Sequence, residues 1–182
     1  PIALMILAAN SASASEEVWD LLREGGKVVL MRHAPVRQGA ETGSSLVRDS
    51  SCKREKNLSE QGKRNAEAVG HRFSEHNIPV SGVMHSPFCR TRDTARIAFR
   101  KASPAGFLSL LEILDSDEAA KQTQALNQVI GSYSGEGNLV LVTHEPNIRA
   151  VSFELIGHLD FLVAEPMGDG DFEELGVIRF SD

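Results

Sequence analysis

A run of four apolar residues, Val28-Val29-Leu30-Met31, breaks off into Arg32-His33-Ala34-Pro35. Four consecutive apolar residues rich in β-branched side chains read as a strand buried on both faces. A guanidinium and an imidazole fit poorly in the core such a strand would enter. They fit well in a crevice at the carboxyl edge of a parallel sheet. The pattern recurs at Leu139–Val142, which runs into Thr143-His144. A third apolar stretch, Gly82–His85, is followed by Ser86-Pro87 and then Arg90 and Arg92.

Helical signals separate these strands. Ser15 can cap a short helix that leaves at Gly25. Leu58-Ser59-Glu60 opens a second helix, striped by Ala66, Val69 and Phe73. Ser86-Pro87 starts a third, with proline where its missing N–H costs little. Asp115–Tyr133 reads as a fourth, and Pro146 opens one expected to reach Gly157. Residues 35–57 form a long loop without periodicity, and long loops in compact domains tend to be functional. Leu108–Leu114 is expected to be a strand or strand edge. Phe161–Ala164 and Glu174–Phe180 are expected strands around an Asp169-Gly170 turn. Strands alternating with helices imply a three-layer α/β/α sandwich with a largely parallel central sheet.

Composition limits the function. A chain of 182 residues is long enough for one domain with a sizeable core. The net charge of −6 argues against a nucleic-acid surface and makes local arginine clusters stand out. Residues 1–14 hold a short apolar run and a small-residue Ala12-Ser13-Ala14 site, so they read as part of a secretory signal. The other reading is an N-terminal helix packed on the domain. The run is too short to span a bilayer. On the signal reading, residues 15–182 form the mature single domain, in a periplasmic or secreted location. Cys52 and Cys89 fit one disulfide there, whereas in a reducing compartment they would be separate thiols.

With the three strands parallel, Arg32, His33, Arg90 and His144 share one edge. Two arginines and two histidines without a carboxylate cluster suit a phosphate, not a metal. No cofactor is implied.

In this order, Met31-Arg32-His33-Ala34, Asn57-Leu58-Ser59-Glu60-Gln61-Gly62, Ser86-Pro87-Phe88-Cys89-Arg90-Thr91-Arg92-Asp93-Thr94-Ala95 and Val142-Thr143-His144 resemble the motifs of the histidine phosphatase superfamily, the phosphoglycerate mutase-like fold. The resemblance implies phosphoryl transfer through a phosphohistidine. By motif position His33 is the nucleophile, and Arg32, Arg90 and His144 form the phosphate pocket. Glu145, beside His144 in a His-Glu-Pro-Asn that resembles the acid phosphatase branch, is the first candidate for the leaving-group acid. Glu112, near the mutase branch's position, is the second. Arg37 in the long loop is a further candidate for substrate binding, while Arg48, Lys53 and Arg54 read as solvated. Arg92 is expected to pair with Asp93. His71, His76 and His158 lie outside the motifs and read as surface or packing residues, and His85 as a possible support.

The stretch Thr91–Thr143 is short for the lid of a mutase, so hydrolysis is expected, on a phosphorylated small molecule or glycan. The alternatives are a phosphohistidine phosphatase acting on protein and a non-catalytic phosphate-binding member of the family.

Overall fold

The computed structural model describes residues 15–181; the expected leader lies outside them. A helix, α1 (15–24), leads into β1 (Val28–Arg32). Then follow α2 (Glu60–Glu75), β2 (Val80–His85), α3 (Cys89–Phe99) and the two-residue β3 (Ser103–Pro104). After two 3-10 turns come α4 (Ser116–Gly131), β4 (Asn138–Thr143), α5 (Glu145–Arg149), β5 (Phe161–Gly168) and β6 (Asp171–Ile178). The strands form one six-stranded sheet in the order β3-β2-β4-β1-β5-β6. β1, β2, β3 and β4 are mutually parallel, and β5 alone runs against the rest.

β1 sits centrally because its side chains can be buried on both faces. Val28, Val29, Leu30 and Met31 are all fully buried. Successive strand residues point to opposite faces, and two apolar clusters result. Val29 and Met31 join Val140, Val142 and Phe161 under Trp19 of α1, Val69 and Phe73 of α2 and Ala95 of α3. Val28 and Leu30 join Leu139, Leu141 and Leu162 under Leu126 and Ile130 of α4 and Ile148 of α5. The three layers follow directly from that alternation.

The register sets the site. Arg32 lies level with Thr143, and His85 with Val142. The ladder runs one residue past the strands, through His33 N–H to Thr143 O at 3.1 Å and Ser86 N–H to Val142 O at 3.0 Å. Three parallel strands therefore deliver His33, Ser86 and His144 at one edge.

Two expected elements differ. Leu108–Leu114 is not a strand: Gly106–Leu108 and Leu111–Ile113 are 3-10 turns. A strand needs a ladder partner, and the outer edge of β2 is already held by Ser103–Pro104. Leu108 and Leu110 still bury their side chains, which explains the apolar pattern. The helix opened by Pro146 stops at Arg149 instead of reaching Gly157. Beyond it the chain turns across the edge of β1, where the carbonyl of Ile156 accepts Arg32 Nη1–H at 2.9 Å. The hairpin at Asp169-Gly170 forms as expected, with longer strands on both sides.

The Ser59 hydroxyl caps α2, accepting Gly62 N–H at 2.9 Å. Gly62 is needed for a different reason. A Cβ there would lie 2.0 Å from the carbonyl oxygen of Pro35, so only glycine lets the helix press on the segment that follows His33. Gly62→Ala should therefore destabilise the fold, although alanine improves helix propensity by about 1 kcal/mol. Overpacking of this kind costs roughly 1–3 kcal/mol. Thermal unfolding of the variant tests this, and an unchanged or raised midpoint would show that the contact can relax.

Candidate active site

The expected nucleophile, His33, is placed by the end of β1. His33 is 7% exposed, and its Nδ1 lies 2.8 Å from its neighbour's carbonyl, Ala34 O. A carbonyl only accepts, so Nδ1 carries the proton and Nε2 is left with a lone pair. Burial holds the His33 pKa well below the ordinary imidazole value, and Arg90, His158 and Arg32 push it further down. The bond to Ala34 works the other way but is outweighed. The ring is neutral, as a nucleophile must be.

The end of β1 is pinned to α3. Ala34 N–H donates to Thr94 Oγ1 at 3.0 Å, and that hydroxyl donates to Arg90 O at 2.7 Å. Arg90, 3% exposed, is the second residue of α3. Its guanidinium lies 4.4 Å over the Phe88 ring. Its Nη2 donates to Ser45 O at 2.9 Å and to His144 Nδ1 at 3.3 Å. Burial lowers its pKa to about 10, with Glu55 and Glu112 opposing, so it stays cationic at neutral pH.

His144 is fixed as well. An arginine can only donate, so Nδ1 accepts and Nε2–H donates to Ser86 Oγ at 2.8 Å. Burial, then Arg90, His33 and Arg32, hold its pKa well below the usual value. Arg32 gives Nη1–H to Ile156 O. Two guanidinium nitrogens, Arg32 Nε and Arg90 Nη1, are buried without an acceptor among the described residues. An unmet charged donor is costly, so these positions suit an anionic acceptor.

These groups line a cleft of about 240 Å³. It gathers Arg32, His33, Arg90, His144, Glu145 and Glu112, all named from the sequence. Glu145 Oε1 lies 3.4 Å from Arg149 Nε. Glu112 is exposed on the second 3-10 turn, whose Leu111 N–H is held by Asn147 Oδ1 at 3.3 Å. Arg37 is not brought in. It is exposed and absent from the cleft wall, because the loop spends Arg37 N–H on Asn57 O at 3.0 Å and presents Ser45 and Lys56 instead. Arg92 pairs with Asp93 at 2.8 Å, as expected. His76 stacks on Trp19 at 4.2 Å and His71 is exposed. His85 is buried outside the cleft, with Nδ1 bonded to Ser86 O at 2.7 Å.

Sequence reasoning misses two residues here. His158 lines the cleft, with Nδ1 bonded to the carbonyl of His33 at 2.9 Å. No motif marks it, since the contact spans 125 positions. Glu55, in the long loop after His33, is fully buried. Its carboxylate accepts Cys89 N–H at 2.7 Å and Asp49 N–H at 2.9 Å. It thus caps the positive end of the helix that carries Arg90. Cys52 and Cys89 form a disulfide that closes a span of 37 residues. A loop of that size constrains the unfolded chain by about 3–4 kcal/mol. It also ties the segment holding Ser45, Glu55 and Lys56 to α3.

Burial lowers the pKa of four histidines: His33, His85, His144 and His158. Unfolding restores the ordinary value of 6.5, so below that pH the unfolded chain binds more protons than the folded one. Stability should be flat above about pH 7 and fall steadily as the pH drops from 6.5. Urea unfolding at stepped pH tests this, and a midpoint unchanged down to pH 5 would contradict it.

Comparison with known proteins bears on the fold. Residues 28–110 match the profile of the histidine phosphatase superfamily (branch 1), a span that holds His33 and Arg90 but ends before His144. No curated sequence matches the chain. Among solved structures it is similar to the protein histidine phosphatase SixA complexed with tungstate, at 15% identity and a TM-score of 0.61, over 85% of this chain and 97% of that one. It is also similar to a mycobacterial glucosyl-3-phosphoglycerate phosphatase, at 13% identity and 0.59, over 82% and 97%. A mycobacterial hydrolase gives 14% and 0.60, over 81% and 96%. At these identities the likeness is one of fold.

Proposed function

We propose that this chain is an active histidine phosphatase, a metal-independent phosphomonoester hydrolase working through a covalent phosphohistidine on His33. One observation carries the reading. A neutral His33, its Nδ1 proton committed to Ala34 O, stands beside two arginines that each bury an N–H with no acceptor. A phosphoryl group supplies those acceptors and places its phosphorus before the free Nε2.

The Nε2 lone pair forms the N–P bond as the P–O bond to the alcohol breaks, and the leaving oxygen takes a proton from a carboxylic acid. Water then attacks phosphorus, its proton returns to the carboxylate, and the N–P electron pair goes back to Nε2. Arg32 and Arg90 hold the equatorial oxygens as charge shifts, each worth about 2.7–4 kcal/mol by analogy with an oxyanion donor. Two carboxylates reach the cleft. Glu145 is engaged by Arg149, whereas Glu112 has no ion-pair partner among the described residues, so Glu112 is taken as the donor.

Residues 91–143 are spent on α3, β3, the two turns, α4 and β4. Little of that stretch is left to close over a small sugar acid, which favours hydrolysis and a substrate larger than the cleft. The disulfide favours an oxidising compartment, hence a periplasmic or secreted location and an extracytoplasmic phosphorylated sugar or small molecule. No helix among the described residues is long and apolar enough to cross a membrane. The fold likeness to a protein histidine phosphatase supports a second reading, hydrolysis of phosphohistidine on a protein, whose imidazole leaving group has less need of a carboxylic acid.

Hydrolysis of an aryl phosphate in the presence of chelator tests the reading. Wild type should turn over, and His33→Ala should lose at least about 10³-fold. Turnover surviving in His33→Ala, or abolished by chelator, would overturn it. Glu112→Gln should lose about 10²–10⁴-fold on an alkyl phosphate while sparing an aryl phosphate, whose leaving group needs no proton. The same loss in Glu145→Gln instead would move the donor to Glu145. No loss in either variant, with activity on phosphohistidine, would favour the protein substrate.

A further inference from the structure

Three imidazoles line the cleft, and the mechanism above gives His158 no part. His33 and His144 have ring centroids 5.5 Å apart, and the His158 ring lies 5.1 Å from His33. The tautomer of His158 is settled by its surroundings. A carbonyl accepts its Nδ1, so Nδ1 carries the proton. The ring's other nitrogen, Nε2, therefore holds a lone pair, and it has no hydrogen-bond partner among the described residues. His158 belongs to the cleft wall. It stands beside the nucleophile, not opposite it, because its anchor is the backbone of His33 itself. That position suits a phosphoryl oxygen better than the leaving group.

We propose that His158 is a substrate-contacting residue whose Nε2 takes a proton as the phosphate binds, so that the cleft accepts a phosphomonoester dianion together with one proton. This rests on the phosphate site described above. With a monoanionic phosphate the balance is internal. The O–H bond of the phosphate breaks, oxygen keeps the electron pair, and the Nε2 lone pair takes the proton. With a dianion the proton comes from solvent. Either way the bound state pairs an imidazolium with a phosphoryl oxygen, adding a cation to those of Arg32 and Arg90.

The charged groups around His158 explain why the proton arrives only with the anion. Arg32 faces it from the end of β1 and Arg90 from α3, and both disfavour a further positive charge. Asp160, on its own segment, works the other way. The Asp160 carboxylate is already engaged, however, by Gly157 N–H and Phe180 N–H, each at 2.9 Å, and by Arg179. His33 and His144 are neutral neighbours, and Glu145 stands on the same cleft wall. Burial, the largest influence, lowers the pKa of His158 and favours its neutral imidazole. A bound dianion reverses that balance by charge attraction at contact distance.

The experiment is calorimetric titration of the full chain with tungstate, a dianion at neutral pH that brings no proton of its own. It is run at pH 7.5 in buffers of differing ionisation enthalpy, and repeated at pH 6.5. Wild type should take up close to one proton per tungstate, with affinity rising up to about tenfold per pH unit on acidification. His158→Asn keeps a side-chain N–H placed to donate to His33 O and removes Nε2. His158→Gln keeps a polar end that cannot be protonated. Both should still bind tungstate, more weakly, with proton uptake near zero and a flattened pH dependence.

Binding by wild type without proton uptake would overturn the proposal and leave the phosphatase reading standing. Undiminished uptake in both variants would also overturn it, assigning the proton to His33 or His144. Absence of tungstate binding to wild type would overturn the phosphate site itself, and the role of His158 with it.

Discussion

The parallel pairing of β1 with β4 is the interaction on which the rest depends. It sets Arg32 level with Thr143, so the residues that follow, His33 and His144, leave the sheet side by side. Both strands are fully buried along their apolar length. A slip of one residue would turn every side chain of β1 to the opposite face and pull the two imidazoles apart. The packing of Val29 and Met31 against one layer, and of Val28 and Leu30 against the other, thus protects the geometry of the site as well as the core.

Concentrating cations at that edge has a cost, and the surroundings offset much of it. Arg90 is almost fully buried, yet it rests on the face of Phe88 and donates to the Ser45 carbonyl. Glu55 is buried nearby, at the positive end of the same helix. The imidazoles respond to the same field by remaining neutral. Each of their protons is committed to a fixed acceptor: Ala34 O, Ser86 Oγ or His33 O. Among the described residues Arg32 Nε and Arg90 Nη1 stay without an acceptor, which suits an anionic ligand.

The long loop 35–57, whose length already suggested a function, is tied into the structure at several points. Short bridges at Val36–Leu58 and Ser44–Glu55 fold it back on itself, and the disulfide fastens it to α3. It reaches the cleft through Ser45 and Lys56, not through the arginine nearest His33 in sequence. Its polar residues gave no hint of this, because a buried glutamate at a helix end and a solvated one have the same local sequence.

By itself the sequence determined the strands that bear the site, the alternation of strands and helices, and the identities of His33, Arg32, Arg90 and His144. These follow from local physics: apolar runs that must be buried, and polar side chains placed where such a run ends. Helices were legible at their starts, where Ser59 and Asp115 cap, but not always at their ends, as the early stop at Arg149 shows. The tertiary structure alone decided that Leu108–Leu114 turns instead of pairing, that Arg37 stays outside, and that Glu55 and His158 move in. Each of these depends on contacts across many tens of residues, such as the 125 positions between His158 and His33. A backbone carbonyl looks the same at every position, so no local pattern can say which one a distant imidazole will meet.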